Sequence, residues 1–138
     1  MTKILFVCHG NICRSPMAEM ILRDMVRRRG LEAEFVIASA ATSTEEIGNP
    51  VYPPARRMLA SHGIDCGGKR AVQLCRADYD RYDWLLGMEA ANIRRMRAIC
   101  GGDPEGKIAR LLDGTPNPAT LPTRGTPATF SPPGTTWW

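Results

Sequence analysis

The 138 residues include 43% apolar and 23% charged side chains with a formal charge of +4, which suits one compact domain whose core needs no disulfide or metal staple. Five cysteines (Cys8, Cys13, Cys66, Cys75 and Cys100) at irregular spacings, with only His9 and His62 beside them, argue against a disulfide framework and a zinc site. No apolar run approaches the roughly 20 residues of a membrane span, and the arginines at 27–29 and 94–97 lack interleaved aromatics and read as solvated helix faces. The expectation is a cytoplasmic protein with neither nucleic acid nor membrane as partner.

The elements alternate as β-α-β-α-β-α-β, the order of a parallel sheet covered by helices. Ile4, Leu5, Phe6 and Val7 form an apolar run too short for a helix, which predicts a strand buried on both faces. After a polar loop, Ser15 suits an N-cap and Pro16 the first helical position. Met17, Ile21, Leu22 and Met25 then recur on one face, and Gly30 closes the helix. A second strand is predicted over 35–39, a long polar loop over 40–53, a helix over 56–62 ended by Gly63, and a third strand over 84–88. A helix over 89–100 and a fourth strand over 107–112 complete the set. The predicted fold is therefore α/β, a single domain with a four-stranded parallel sheet and helices on both faces.

Composition changes after Asp113, and with it the predicted organisation. All 14 acidic residues lie at or before that position, whereas 114–138 holds six of the 11 prolines, seven threonines and one charged residue, Arg124. The chain divides into a body over 1–113 and a Pro/Thr/Gly-rich tail over 114–138 without hydrophobic periodicity.

Between the first strand and first helix stands Cys8-His9-Gly10-Asn11-Ile12-Cys13-Arg14-Ser15-Pro16. A cysteine and an arginine six positions apart arise often by chance, and a cysteine at a strand end can be a small core residue. Here the pair brackets a loop at the C-terminal end of a buried strand, where open parallel sheets bind ligands. A loop turning there into a helix can aim successive N–H groups at an anion, with the helix N-terminus adding positive potential. Gly10 would permit the tight turn. The same field favours the thiolate form of Cys8, the nucleophilic form, and Arg14 offers a planar fork for two phosphoryl oxygens.

The run from Phe6 to Pro16 closely resembles the active-site loop of low-molecular-weight protein-tyrosine phosphatases. Ser39-Ala40-Ala41-Thr42-Ser43, Ile47-Gly48-Asn49-Pro50 and the stretch 73–84 resemble later parts of the same family, so the likeness spans 3–113. It implies Cys8 and Arg14 as catalytic residues, and His9, Gly10, Asn11, Ile12, Cys13 and Ser15 as the phosphate-binding loop. Ser39 is implied as loop support, bonded to Asn11, and Ser15 as a donor to the Cys8 thiolate. Cys13 matches a second loop cysteine able to trap Cys8 as a reversible disulfide. Implied partners are phosphotyrosine proteins or small aryl phosphates, with phosphate, sulfate or vanadate in the loop; no metal or other cofactor is implied.

The sequence also departs from that family. Its general-acid aspartate, followed by proline after the fourth strand, has no match here; Asp103-Pro104 precedes that strand and reads as a turn. The family's closing C-terminal helix is missing from 114–138, and a tail replaced or out of frame is the expectation. Glu45 stands where many relatives place an aromatic wall, and Lys69 and Val72 replace a commoner His and Arg. Ile12 favours the tyrosine branch over phosphoarginine relatives, which tend to carry threonine. The reading is a phosphatase working through a phosphocysteine, weakened by the lost acid. An arsenate reductase relaying through Cys75 is opposed by Gly87, and a non-catalytic phosphate- or phosphotyrosine-binding module is the alternative of another class.

Overall fold

A computed structural model describes residues 1–111, and the replaced-tail expectation, the closing helix and the end of the predicted fourth strand lie outside them. Four strands, β1 (Thr2–Cys8), β2 (Phe35–Ala41), β3 (Trp84–Gly87) and β4 (Ile108–Arg110), form one all-parallel sheet in the order β2-β1-β3-β4. The helices are α1 (Arg14–Arg28), α2 (Pro53–Ser61), α3 (Ala77–Arg81) and α4 (Ala90–Cys100), with a 3₁₀ turn at Glu32–Glu34.

β1 is central because its side chains are apolar on both faces. Ile4, Phe6 and Cys8 pack with Ala18, Leu22 and Val26 of α1, while Leu5 and Val7 pack with Tyr79 of α3 and Met96 and Cys100 of α4. Fully burying a side chain of this size stabilises by about 1.5–3 kcal/mol, so both layers are held by the strand that ends at Cys8. On the other side of α1, Met20 and Ile21 pack with Ala55 and Leu59 of α2.

Several boundaries differ from the predicted ones for local reasons. β2 runs two residues past Ser39 because Ala41 pairs with Cys8, accepts from Leu74 N–H at 2.8 Å and donates to the Val72 carbonyl at 2.7 Å. α2 begins at Pro53 rather than at 56, since prolines fit a first turn whose N–H groups lack intrahelical partners. The five-residue α3 has no apolar period; Asp78 holds its entry by accepting from Cys75 N–H at 2.9 Å. Ser15 is not the N-cap: α1 starts at Arg14 with Cys13 at the cap position, and the Ser15 hydroxyl is used elsewhere.

Candidate active site

The chain from Cys8 to Ser15 curls into a cup whose carbonyls are held from outside. Thr42 N–H donates to the Cys8 carbonyl at 2.9 Å, Ser43 N–H and Oγ to that of His9 at 3.0 and 2.9 Å, and Tyr52 N–H to that of Ile12 at 2.7 Å. The Cys13 carbonyl accepts from Met17 N–H at 3.1 Å as the first bond of α1. With the carbonyls turned away, the N–H groups of His9, Gly10, Ile12, Cys13 and Ser15 donate to no protein group among the described residues. This is the arrangement of an anion cradle at a helix N-terminus.

Asn11 supplies the bend. It is 1% exposed and adopts φ 58, the left-handed region that asparagine tolerates better than most side chains. Its Nδ2 donates to Ser15 Oγ at 2.8 Å, and its Oδ1 accepts from Val72 N–H at 3.1 Å. At Gly10 φ is not positive, and the missing side chain makes room for Glu46, whose Cγ would lie 3.2 Å from a Cβ at that position.

Cys8 is buried at 6% exposure, with its sulfur 2.9 Å from Ser15 Oγ and accepting from Asn11 N–H at 3.2 Å. Because Ser15 Oγ accepts from Asn11, its own proton is free to point at the sulfur, which suits a thiolate. Arg14, the first residue of α1, sits half-exposed at the mouth with Nη2 3.2 Å from Glu89 Oε1. Glu89 caps α4 in a capping box: its side chain accepts from Asn92 N–H, and Asn92 Oδ1 accepts from Met88 and Glu89 N–H at 3.2 and 3.0 Å. Cys13 is only partly buried, and burial together with the neighbouring Cys8 pushes its thiol up, against the opposing pull of Arg14.

Ser39 is not bonded to Asn11. Its hydroxyl donates to the carboxylate of Glu19, a residue 2% exposed that also meets Arg23 at 2.8 Å and Lys69 at 3.7 Å. Lys69 Nζ donates to the Ser39 carbonyl at 3.0 Å, and burial pushes its ammonium down while Glu19 holds it up. Thus Ser39, Glu19 and Lys69 form a buried polar brace beneath α1. Glu19, Glu89 and Asn92 escaped the sequence reading; an acidic residue on the apolar side of a predicted helix, at Glu19, was the available signal. His9 stands at the rim, its Nε2 3.0 Å from Glu45 Oε2.

Asp103 is confirmed in a turn role. Its carboxylate accepts from Tyr79 Oη at 2.6 Å and from Lys107 and Ile108 N–H at 2.7 and 3.2 Å. Among the described residues no cluster of three His, Cys, Asp or Glu could hold a metal, and no helix is long and apolar enough to cross a membrane.

A buried cysteine thus lies beneath a ring of backbone amides, at the end of a central parallel strand and beside a helix-borne arginine, an arrangement suited to an anion. The model of the low molecular weight phosphotyrosine protein phosphatases matches residues 3–120, past the point at which the sequence reading ended the likeness. The chain belongs to that family. It is 42% identical over 113 residues to the low molecular weight protein-tyrosine-phosphatase YfkJ of Bacillus subtilis, covering 82% of this chain and 72% of the relative. The crystal structure of YfkJ superposes with TM-score 0.78 at 40% identity, over 80% of this chain and 70% of that one. Wzb of Vibrio vulnificus, solved with benzylphosphonate, gives TM-score 0.68 at 31% identity over 78% and 70% of the two chains.

Proposed function

We propose that this chain hydrolyses protein phosphotyrosine through a phosphocysteine on Cys8. The observation that carries the reading is the sulfur of Cys8, held by Ser15 Oγ at 2.9 Å and Asn11 N–H at 3.2 Å at the floor of an amide cradle. The phosphoryl group of the substrate sits on the N–H groups of His9, Gly10, Ile12, Cys13 and Ser15, with the Arg14 guanidinium across its oxygens. The Cys8 thiolate attacks phosphorus in line with the tyrosyl oxygen, the S–P bond forms, the P–O bond breaks and the phenolate takes up a proton. Water then attacks the phosphocysteine, releasing inorganic phosphate and restoring the thiolate. The amides and Arg14 stabilise the charge on the transferring group in both steps.

The phenolate's proton is the weak point. No aspartate equivalent to the family's general acid is legible in the sequence, and Asp103 is bound into its turn. General-acid help is typically worth about 10²- to 10⁴-fold, so the chain acts as a phosphatase impaired on leaving groups that need a proton. Steady-state turnover of p-nitrophenyl phosphate and of a phosphotyrosine peptide tests this, with vanadate as competitor and Cys8→Ser as control. Turnover abolished in Cys8→Ser, with the peptide much the poorer substrate, is expected. Vanadate binding without turnover in the native chain would instead identify a phosphate-binding module, and equal rates on both substrates would contradict the loss of the acid.

A further inference from the structure

The His9 and Glu45 side chains take no part in the steps above, yet they stand at the mouth of the cradle. The two side chains are 52% and 70% exposed and meet at 3.0 Å. Their backbones are fixed to each other, because Ser43 donates twice to the His9 carbonyl and its Oγ accepts from Glu45 N–H at 3.4 Å. Glu46, the next residue, lies over Gly10 and accepts from the neutral Asn49 Nδ2 at 2.6 Å, and among the described residues it meets no cation at ion-pair distance. The nearby Arg70 gives Nη1 to the Gly48 carbonyl at 2.9 Å, and Glu89 is matched by Arg14. Glu45 and Glu46 therefore place two adjacent carboxylates on one side of the mouth, on a chain whose overall charge is +4.

Resting on the phosphatase reading, we propose that Glu45, positioned by His9, makes the site select phosphotyrosyl segments carrying lysine or arginine next to the phosphotyrosine. A phosphoryl group seated in the cradle fixes the line along which the aromatic ring leaves the mouth. A carboxylate offers no attraction to the negative face of that ring. It does attract cations on the flanking residues, which pass within the screening length of about 8–10 Å. At an exposed rim each such pair is expected to favour the substrate about two- to fivefold.

The test is kcat/KM at low and high salt for three phosphotyrosine peptides of one length, flanked by lysine, serine or glutamate, each normalised to p-nitrophenyl phosphate. The native chain should rank lysine over serine over glutamate at low salt, and high salt should compress the ranking. Glu45→Gln, an exposed and isosteric change, should remove most of the ranking. An unranked native chain, or a ranking that survives Glu45→Gln unchanged, overturns the inference alone. No turnover of any peptide or of p-nitrophenyl phosphate overturns the phosphatase reading and this inference together.

Discussion

Asn11 concentrates the residue-scale demands of the loop: a left-handed backbone and two hydrogen bonds from a side chain with almost no exposure. Asn11→Gly keeps the backbone at no steric cost but leaves Val72 N–H without its acceptor and Ser15 Oγ without its donor, whereas Asn11→Ala adds the strain of φ 58. Each unsatisfied buried group costs about 1–3 kcal/mol. Thermal denaturation should therefore rank native above Gly above Ala, and an Ala variant as stable as native would contradict the account. Ser15→Ala removes a donor to the Cys8 sulfur; hydrogen bonds to charged groups are worth about 1.5–3 kcal/mol, so kcat/KM on p-nitrophenyl phosphate should fall about 10- to 100-fold. Cys8 and Arg14 were readable because strand, loop and helix converge on them in sequence. The Asn11–Val72 bond spans 61 positions and depends on where the 69–74 segment returns, so no local pattern announces it. Ser15 has the chemistry of a cap, which is why it was placed there, but the thiol and Asn11 use its oxygen instead.

At the scale of elements, β3 and α4 meet at Gly87. A Cβ there would lie 2.8 Å from Ile93 Cδ1, 2.9 Å from Met96 Sδ and 3.2 Å from Asn92 Cβ. Met96 is fully buried and Asn92 nearly so, and neither has room to withdraw. Overpacking of this kind costs about 1–3 kcal/mol, so Gly87→Ala should lower Tm by several degrees or more in a domain of this size. Because Asn92 also fixes the cap at Glu89, and Glu89 meets Arg14, the same variant should lose activity on p-nitrophenyl phosphate; unchanged Tm and activity would show that α4 can yield. The same crowding leaves no space for a relay cysteine at 87. The strands and long helices were legible because apolar runs and 3.6-residue periods mark them. α3 was not, since five residues held by the Asp78 carboxylate carry no period.

For the molecule as a whole, Asp103 ties stability to acid pH. Burial alone would raise its carboxyl, but Tyr79 Oη, the N–H groups of Lys107 and Ile108 and the charge of Arg97 together hold it below the ordinary carboxylate range. A carboxyl depressed on folding stabilises the fold above its unfolded pKa, near 4, and that stabilisation is lost as pH falls through the folded value. Stability should therefore decline from about pH 4 downward, and Asp103→Asn should be less stable at neutral pH yet show a shallower acid decline. The four-stranded parallel sheet was legible because strands alternate with helices along the chain, whereas the buried brace of Glu19, Ser39 and Lys69 unites three distant segments. The central claim is that phosphate passes through Cys8. A millisecond acid quench of the native chain with p-nitrophenyl phosphate, followed by peptide mass spectrometry, should find phosphate on Cys8 and none in Cys8→Ser. Turnover with phosphate on no residue, or on any residue other than Cys8, would contradict it.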